Sequence, residues 1–239
     1  MAPANRLTAQ QPNVKMPNVY TFKDFEGSSH RILIDLISRY SNGSGMLLDL
    51  GAAGGELGEA LRTRFPRRIG FEFDVDRIAD LHTHFDHAVI ADLEAVRRLP
   101  ARAGTIVLAD ILEHLRDPSK LLACVRDALS PQGHVFISVP NIANITVRLG
   151  LLFGIFEYRE RGILDSSHLR FYTMRSIKRE IDRAGFRIVA IRGSSVPIRL
   201  IVPKAPNFLL RIGERMLSIV TRVWRGLFAY QIIIVAQRR

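Results

Sequence analysis

The chain has 239 residues, 47% of them hydrophobic and 24% charged, which is enough for one large domain with a real core and excludes disorder over most of its length. Lys and Arg outnumber Asp and Glu by 34 to 23, and the resulting charge of +11 points to an anionic partner such as nucleic acid, a phosphorylated substrate or an acidic membrane surface. The single cysteine, Cys124, excludes an internal disulfide and any multi-cysteine metal site, and it fits a reducing compartment with the cytoplasm as the default.

Residues 1 to 19, with three prolines and no apolar core of a secretory signal, read as a flexible leader, and 20–239 as a single domain. Phe25 to Tyr40 places Ile32, Leu33, Leu36, Ile37 and Tyr40 at helical spacing before SNGSG at 41–45 breaks the pattern. From Met46 onward short apolar runs alternate with helical patterns: MLLDL then ELGEALRTRF, RIGFEF then VDRIADLHTHF, AVIA, TIVLA, and PSKLLACVRDAL then HVFISV. That rhythm predicts an α/β fold, a doubly wound Rossmann-like parallel sheet with helices on both faces. Met174 to Ala184 is a further helix, stopped by Gly185 and followed by the strand FRIVAI. A basic amphipathic segment (Asn207 to Phe228) and a last strand, AYQIIIVAQ, close the chain. The nearest approaches to a membrane span, Leu149 to Phe156 and Ile232 to Ala236, fall far short of the ~20 residues required.

LLDLGAAGGELG at 47–58 puts an apolar strand, a small-residue turn and a helix start in succession. Gly51, Ala52, Ala53, Gly54 and Gly55 let a ligand approach the backbone closely. Three carboxylates accompany the turn: Asp49 in the first strand, Glu72 ending the second and Asp92 after AVIA. In a doubly wound sheet all three lie along the carboxyl edge, where ligands bind. An acid ending the second strand is placed to grip a ribose diol. A nicotinamide dehydrogenase uses a similar turn, but the run lacks the GxGxxG spacing and leaves no room for a second catalytic domain.

On these residues the chain resembles the class I S-adenosyl-L-methionine (SAM)-dependent methyltransferases, with Asp49-Leu50-Gly51-Ala52-Ala53-Gly54-Gly55 matching their first motif and Ala53 standing where a glycine is usual. The resemblance implies that Asp49 and the backbone of Gly51, Ala52 and Gly55 hold the methionine end of SAM, Glu72 the ribose (with Asp74 as second choice), and Asp92 with the Leu93 N–H the adenine. It also implies a seven-stranded sheet whose last strand, Tyr230 to Ala236, inserts antiparallel.

A second constellation follows the fourth strand. Asp110, Glu113 and His114 are spaced i, i+3 and i+4, so a helical turn beginning at Asp110 puts all three on one face beside the cofactor. His168 lies in the irregular stretch DSSHLRFYT (165–173). The LEH segment resembles glycan-associated and quinone-precursor O-methyltransferases. The first of these groups is also similar in PNIAN (140–144), in the D-x-x-H-L-R-F-Y-T run and in FAYQ near the C-terminus. Two chemistries compete: His114 or His168 acts as the base for a hydroxyl acceptor, or Asp110, Glu113, His114 and His168 hold Mg²⁺ or another divalent cation that lowers the hydroxyl pKa. A similar acid-x-x-Glu-His plus distant histidine arrangement binds metal in small-RNA 3′-terminal ribose methyltransferases. A third possibility is that Glu113 and His114 only orient the loop. His82, His84 and His87 read as solvated surface and Cys124 as core.

The expected activity is therefore SAM-dependent methylation of a hydroxyl on a glycan or similar polar intermediate. An RNA ribose 2′-O-methyltransferase using a metal is the alternative enzyme; the chain lacks an aromatic-rich platform for stacked bases, so a nucleic-acid partner is not favoured. A non-catalytic SAM-binding protein is the third reading. Residues 142–172 are expected to form a substrate lid. The segment 200–228 carries Arg211, Arg215, Arg222 and Arg225 among apolar residues and Trp224, and it reads either as a packing helix or as a peripheral contact with the inner face of the membrane, suited to a lipid-linked sugar.

Overall fold

The computed structural model describes residues 27–100, 102–198 and 206–239; the leader and residues 200–205 of the basic segment lie outside them. Helix α1 (Ser29–Tyr40) is capped by the Ser28 side chain, which accepts from the Arg31 N–H. Seven strands follow: β1 (Leu47–Leu50), β2 (Arg68–Glu72), β3 (His87–Ile90), β4 (Ala103–Ala109), β5 (Leu129–Pro140), β6 (Phe186–Gly193) and β7 (Gln231–Arg238). Between them run α2 (Glu56–Ala60), α3 (Ile78–His84), α4 (Pro118–Ala128), α5 (Ile145–Leu152), α6 (Met174–Arg183), α7 (Asn207–Val223) and α8 (Arg225–Phe228).

The strands form one sheet in the order β3-β2-β1-β4-β5-β7-β6. Pairings among β1 to β5 are parallel, and β7 lies antiparallel between β5 and β6. This is the doubly wound sheet that the sequence rhythm predicts, with the antiparallel last strand that the family resemblance implies. Consecutive residues of the central strands point to opposite faces. Leu48, Ile106, Val135, Ile137 and Ile232 pack with Leu121, Leu122 and Val125 of α4 and Ile177 and Ile181 of α6. Leu47, Val107, Phe136, Ile233 and Val235 pack on the other face with Leu33, Leu36 and Ile37 of α1 and with Leu57 and Leu61. Both faces are thus covered, which is why these strands read as nearly unbroken apolar runs.

Local signals set the ends of the helices. Asp117 caps α4 ahead of Pro118, Thr173 and Ser176 form a reciprocal capping box on α6, and Gly185 follows α6 at φ +86°, the left-handed conformation expected of a helix stop. Three predicted helices come out shorter or divided. ELGEALRTRF keeps helix only at α2, because the N–H groups of Arg64 and Phe65 both turn back to the Leu61 carbonyl and drive Phe65 into the core. VDRIADLHTHF splits into a 3-10 turn at Val75–Arg77 and α3. The basic segment divides at Trp224, whose φ of −130° and ψ of 67° leave the helical region, giving α7 and α8.

Strand order reverses about the β1–β4 pair, so the carboxyl ends of β1, β2, β4 and β5 open onto the crevice where doubly wound sheets bind ligands.

Candidate active site

The turn after β1 is fixed by backbone geometry. Gly51 sits at φ +88°, and a Cβ there would lie 2.0 Å from Cδ1 of Ile111, so a side chain at this position would have to displace the Ile111 tip. The N–H groups of Gly51 and Ala52 both donate to the Phe71 carbonyl at 2.8 Å, tying the turn to β2. Ala53 adopts φ +49°, a left-handed position that the usual glycine would take without strain. Gly55 is also left-handed at φ +90°, and a Cβ would meet the His84 side chain at 2.9 Å.

Glu72 closes this arrangement. Its Oε2 accepts from the Ala53 N–H at 2.8 Å, and its Oε1 accepts from the N–H groups of Phe73 and Asp74 at 2.9 and 3.1 Å. The carboxylate is therefore held rigidly at the end of β2 beside the glycine turn, where the ribose assignment requires an acid. The second choice, Asp74, is used otherwise: it caps the next turn through Asp76 N–H and pairs with Arg77 at 3.4 Å. Asp92 is exposed and its Oδ1 accepts from the Glu94 N–H, shaping the loop after β3 next to half-buried Leu93.

Asp49 is only 2% exposed. Burial first, then the charges of Glu72 and Glu56, push its carboxyl up to about 7. A cationic ligand alongside would relieve that frustration, and SAM carries two positive groups at its methionine end. The donor set and the close turn fit the molecule.

The acceptor side is assembled from distant segments. Asp110 does not begin a helical turn: its φ is +56°, and the 3-10 turn covers only Leu112–His114. The expected single face of Asp110, Glu113 and His114 is therefore absent. The reason is a long-range clamp, in which Ser138 Oγ donates to Asp110 Oδ1 at 2.7 Å and Gln231 Nε2 donates to Oδ2 at 2.5 Å. Asp110 ties β4 to β5 and β7 rather than joining the other three residues.

Glu113, His114 and His168 do come together, with one ligand atom from each lying within 4.8 Å of the others. The imidazoles meet edge to face with centroids 4.9 Å apart. The Glu113 carbonyl accepts from the N–H groups of Leu169 and Arg170 at 2.8 and 3.0 Å, which pins the second histidine segment beneath the first. His114 Nδ1 lies 3.3 Å from the Ser167 carbonyl and His168 Nδ1 lies 3.2 Å from the Ile163 carbonyl. A carbonyl oxygen only accepts, so both Nδ1 atoms carry hydrogen, which makes Nε2 the lone-pair atom of each neutral ring.

Glu113 is 1% exposed, and neither of its side-chain oxygens finds a hydrogen-bond partner among the described residues. Burial, reinforced by Asp110, raises its pKa well above the usual carboxylate value. His168 is pushed down by burial and by His114. The cluster thus presents lone pairs without donors, an arrangement suited to receiving a proton or a hard cation. The donors fit a divalent cation such as Mg²⁺, with Asp110 outside the set.

Ser167 Oγ lies 3.4 Å from His114 Nδ1 and donates to Asp165 Oδ1 at 2.6 Å, completing an Asp165–Ser167–His114 chain. Ser138, Gln231, Asp165 and Ser167 escaped the sequence reading as site residues, although Asp165 and Ser167 fall inside DSSHLRFYT and Gln231 inside FAYQ. Elsewhere His84 pairs with Glu59 at 3.2 Å while His82 and His87 are exposed, and Cys124 packs half-buried against the core.

A glycine turn with acids at successive strand ends, set on a β3-β2-β1-β4-β5-β7-β6 sheet, defines the class I SAM-dependent methyltransferase architecture. The family described as "Methyltransferase domain" matches residues 25–191, and the chain belongs to it. SAM is the methyl donor of this class of enzyme. A ubiquinone biosynthesis O-methyltransferase of Cupriavidus pinatubonensis is 27% identical over 158 residues, covering 62% of this chain and 62% of the relative. A protein of the same name from Burkholderia pseudomallei is 27% identical over 157 residues, covering 62% and 66%. The match thus spans less than two thirds of the length of these curated relatives. Among solved structures, an Archaeoglobus fulgidus SAM-dependent methyltransferase aligns with TM-score 0.57 and 18% identity over 88% of this chain and 95% of that one. The Synechocystis magnesium protoporphyrin IX methyltransferase with bound SAH aligns with TM-score 0.60 and 13% identity over 89% and 83%. At these identities the likeness speaks to the fold alone.

Proposed function

We propose that the chain is an O-methyltransferase acting on a hydroxyl of a glycan or similar polar intermediate, with His114 taking the hydroxyl proton. The observation that carries this reading is the pair of Nε2 lone pairs beside the buried, donor-less Glu113. SAM, held by the glycine turn and Glu72, would supply an electrophilic methyl group on a sulfonium, and an imidazole of the cluster would take the proton that the acceptor hydroxyl gives up.

His114 is the better base of the two. Its Nδ1–H faces the Ser167 carbonyl and hydroxyl, and that hydroxyl donates in turn to Asp165, so the ring is held with Nε2 open to the acceptor, whereas burial pushes the His168 pKa down. His168 then accepts a hydrogen bond that holds the acceptor in line, and much of the rate of such a transfer comes from that positioning. Asp110, locked by Ser138 and Gln231, keeps the 3-10 turn at a fixed distance from the glycine turn. Glu113 together with the two Nε2 atoms can hold a divalent cation, whose chemical contribution is to lower the pKa of the acceptor hydroxyl.

A second reading, a phenolic hydroxyl as acceptor, is favoured by a file of rings leading to the site. Phe156 contacts Tyr158 and Phe171, and Phe171 lies 6.3 Å from His168. The named activity of the curated relatives is compatible with this acceptor.

Incubation with methyl-tritiated SAM and panels of sugar and phenolic acceptors, with and without EDTA, tests both readings. Label on a sugar oxygen supports the first, and label on a phenol the second. Label on nitrogen or carbon, or equal transfer by His114→Ala, overturns the assignment of the cluster. Loss of transfer in EDTA, restored by Mg²⁺, places a cation in it.

A further inference from the structure

We infer that α7 and Trp224 form a docking face for an anionic lipid surface. Helix α7 packs against the outermost strand of the sheet with Leu210 and Thr221 buried, the methyl group of Thr221 lying over Gly193 of β6. The opposite side is exposed and apolar: Phe208 is 63% exposed, and Ile212, Met216, Ile219 and Val223 continue the same stripe to Trp224, itself 63% exposed. At a helix's ~100° per residue, these five α7 residues span about 80° of arc.

Arg211, Arg215 and Arg222, all exposed, fall within about 40° on the flank adjoining that stripe. A packing helix needs no outward apolar stripe of this length. A stripe bordered by arginines and ending in tryptophan matches what a bilayer interface offers: acyl boundary for the apolar residues, anionic headgroups for the guanidinium row and the interfacial layer for the indole. The charge pattern argues against a second copy of the chain as occupant. Glu214 is the one acid in the helix and is half-buried on another side, so an identical face offers the arginines no exposed counter-charge.

The position of the helix gives the docking a purpose. The short helix α8 that follows it beyond Trp224 is locked to the catalytic edge: Asn141 Nδ2 donates to the carbonyls of Gly226 and Ala229 at 3.3 and 2.9 Å, and Asn144 Nδ2 donates to those of Phe228 and Ala229 at 3.2 and 2.9 Å. Asn144 also caps α5, whose far end exposes Leu152 and Phe153. A surface held against α7 therefore lies beside the root of the segment that carries the ring file to His168. The inference concerns lipid binding and stands whether the acceptor is a sugar, a phenol or neither.

Trp224 is the sole tryptophan of the chain, so its emission reports on this face alone. Full-length protein is mixed with phosphatidylcholine vesicles and with vesicles that also contain phosphatidylglycerol, and sedimentation is read alongside Trp224 emission. The expected result is at least a roughly tenfold preference for anionic vesicles, lost at high salt, with a blue shift and protection from an aqueous quencher. Ile212→Asp with Ile219→Asp, and separately Arg211→Glu with Arg215→Glu, each abolish that preference while leaving SAM affinity unchanged, which shows the variants folded. Unshifted Trp224 emission with anionic vesicles overturns the inference. So does a dimer that already shields Trp224 in the absence of lipid, or vesicle binding unaffected in both variants.

Discussion

The two halves of the catalytic edge are built in opposite ways. The cofactor side is local: strand, turn, strand and the Glu72 carboxylate all fall between residues 47 and 74, and the decisive bond from the Ala53 N–H to Glu72 spans 19 positions. The acceptor side gathers residues 110–114, 138, 163–168 and 231, through bonds that span 53 positions from His114 to Ser167 and 121 from Gln231 to Asp110. A local site can be specified by backbone conformation, with glycines wherever a side chain will not fit. A long-range site needs polar side chains to clamp its parts and leaves its functional groups short of partners. Ligand binding and chemistry should therefore separate under mutation.

The sharpest separation is expected from His114→Ala, which should lower turnover by roughly 10²–10⁴-fold while SAM affinity stays unchanged; single-turnover assays alongside calorimetry check this. A parallel loss of SAM affinity would mean that the two sides are one unit. The next effect concerns pH. Asp49 holds its proton up to about pH 7 when folded and releases it near 3.8 when unfolded. Between those values the folded chain binds more protons, so its stability is full below about pH 4 and falls as pH rises to about 7, by about 4 kcal/mol from this group. Raised Glu113 contributes with the same sign. Asp49→Asn should flatten the slope in urea titrations across pH, and in the wild type SAM should bind more tightly as pH rises through 7, because the cation favours the ionised carboxylate.

Glu72→Ala removes an acceptor of three backbone N–H groups and, on the proposed assignment, a ribose contact as well. We expect SAM affinity to fall by about 10–100-fold, corresponding to roughly 1.5–3 kcal/mol for hydrogen bonds to a charged group. Glu72→Gln, which keeps one acceptor oxygen, should fall between. The smallest effect is that of Gly51→Ala, where a left-handed φ for a residue with Cβ costs about 1–2 kcal/mol and Ile111 must move aside. Thermal melts report the stability loss, and turnover at saturating SAM should be little changed.

The same contrast explains what the sequence could disclose. Strand and helix order, the glycine turn and the acids at strand ends are encoded within windows of a few residues, and the sheet follows from alternation and chain direction. The antiparallel place of β7 came with the family resemblance. The i, i+3, i+4 spacing of Asp110, Glu113 and His114 suggested a common helical face, yet Ser138 and Gln231 pull Asp110 into a left-handed conformation, and no window around residue 110 contains either partner. Glu113, His114 and His168 could be grouped only through motif resemblance, since the turn that joins them depends on the Leu169 and Arg170 N–H groups reaching the Glu113 carbonyl. The break at Trp224 was likewise hidden, because the apolar period runs unbroken through it.

Titration calorimetry of the demethylated product, S-adenosylhomocysteine, into the wild type, Glu72→Ala and His114→Ala proteins tests the account most directly. One-site binding is expected of the wild type, weakened about 10–100-fold by Glu72→Ala and unchanged by His114→Ala. Absence of binding in the wild type, or equal affinity in Glu72→Ala, would contradict it.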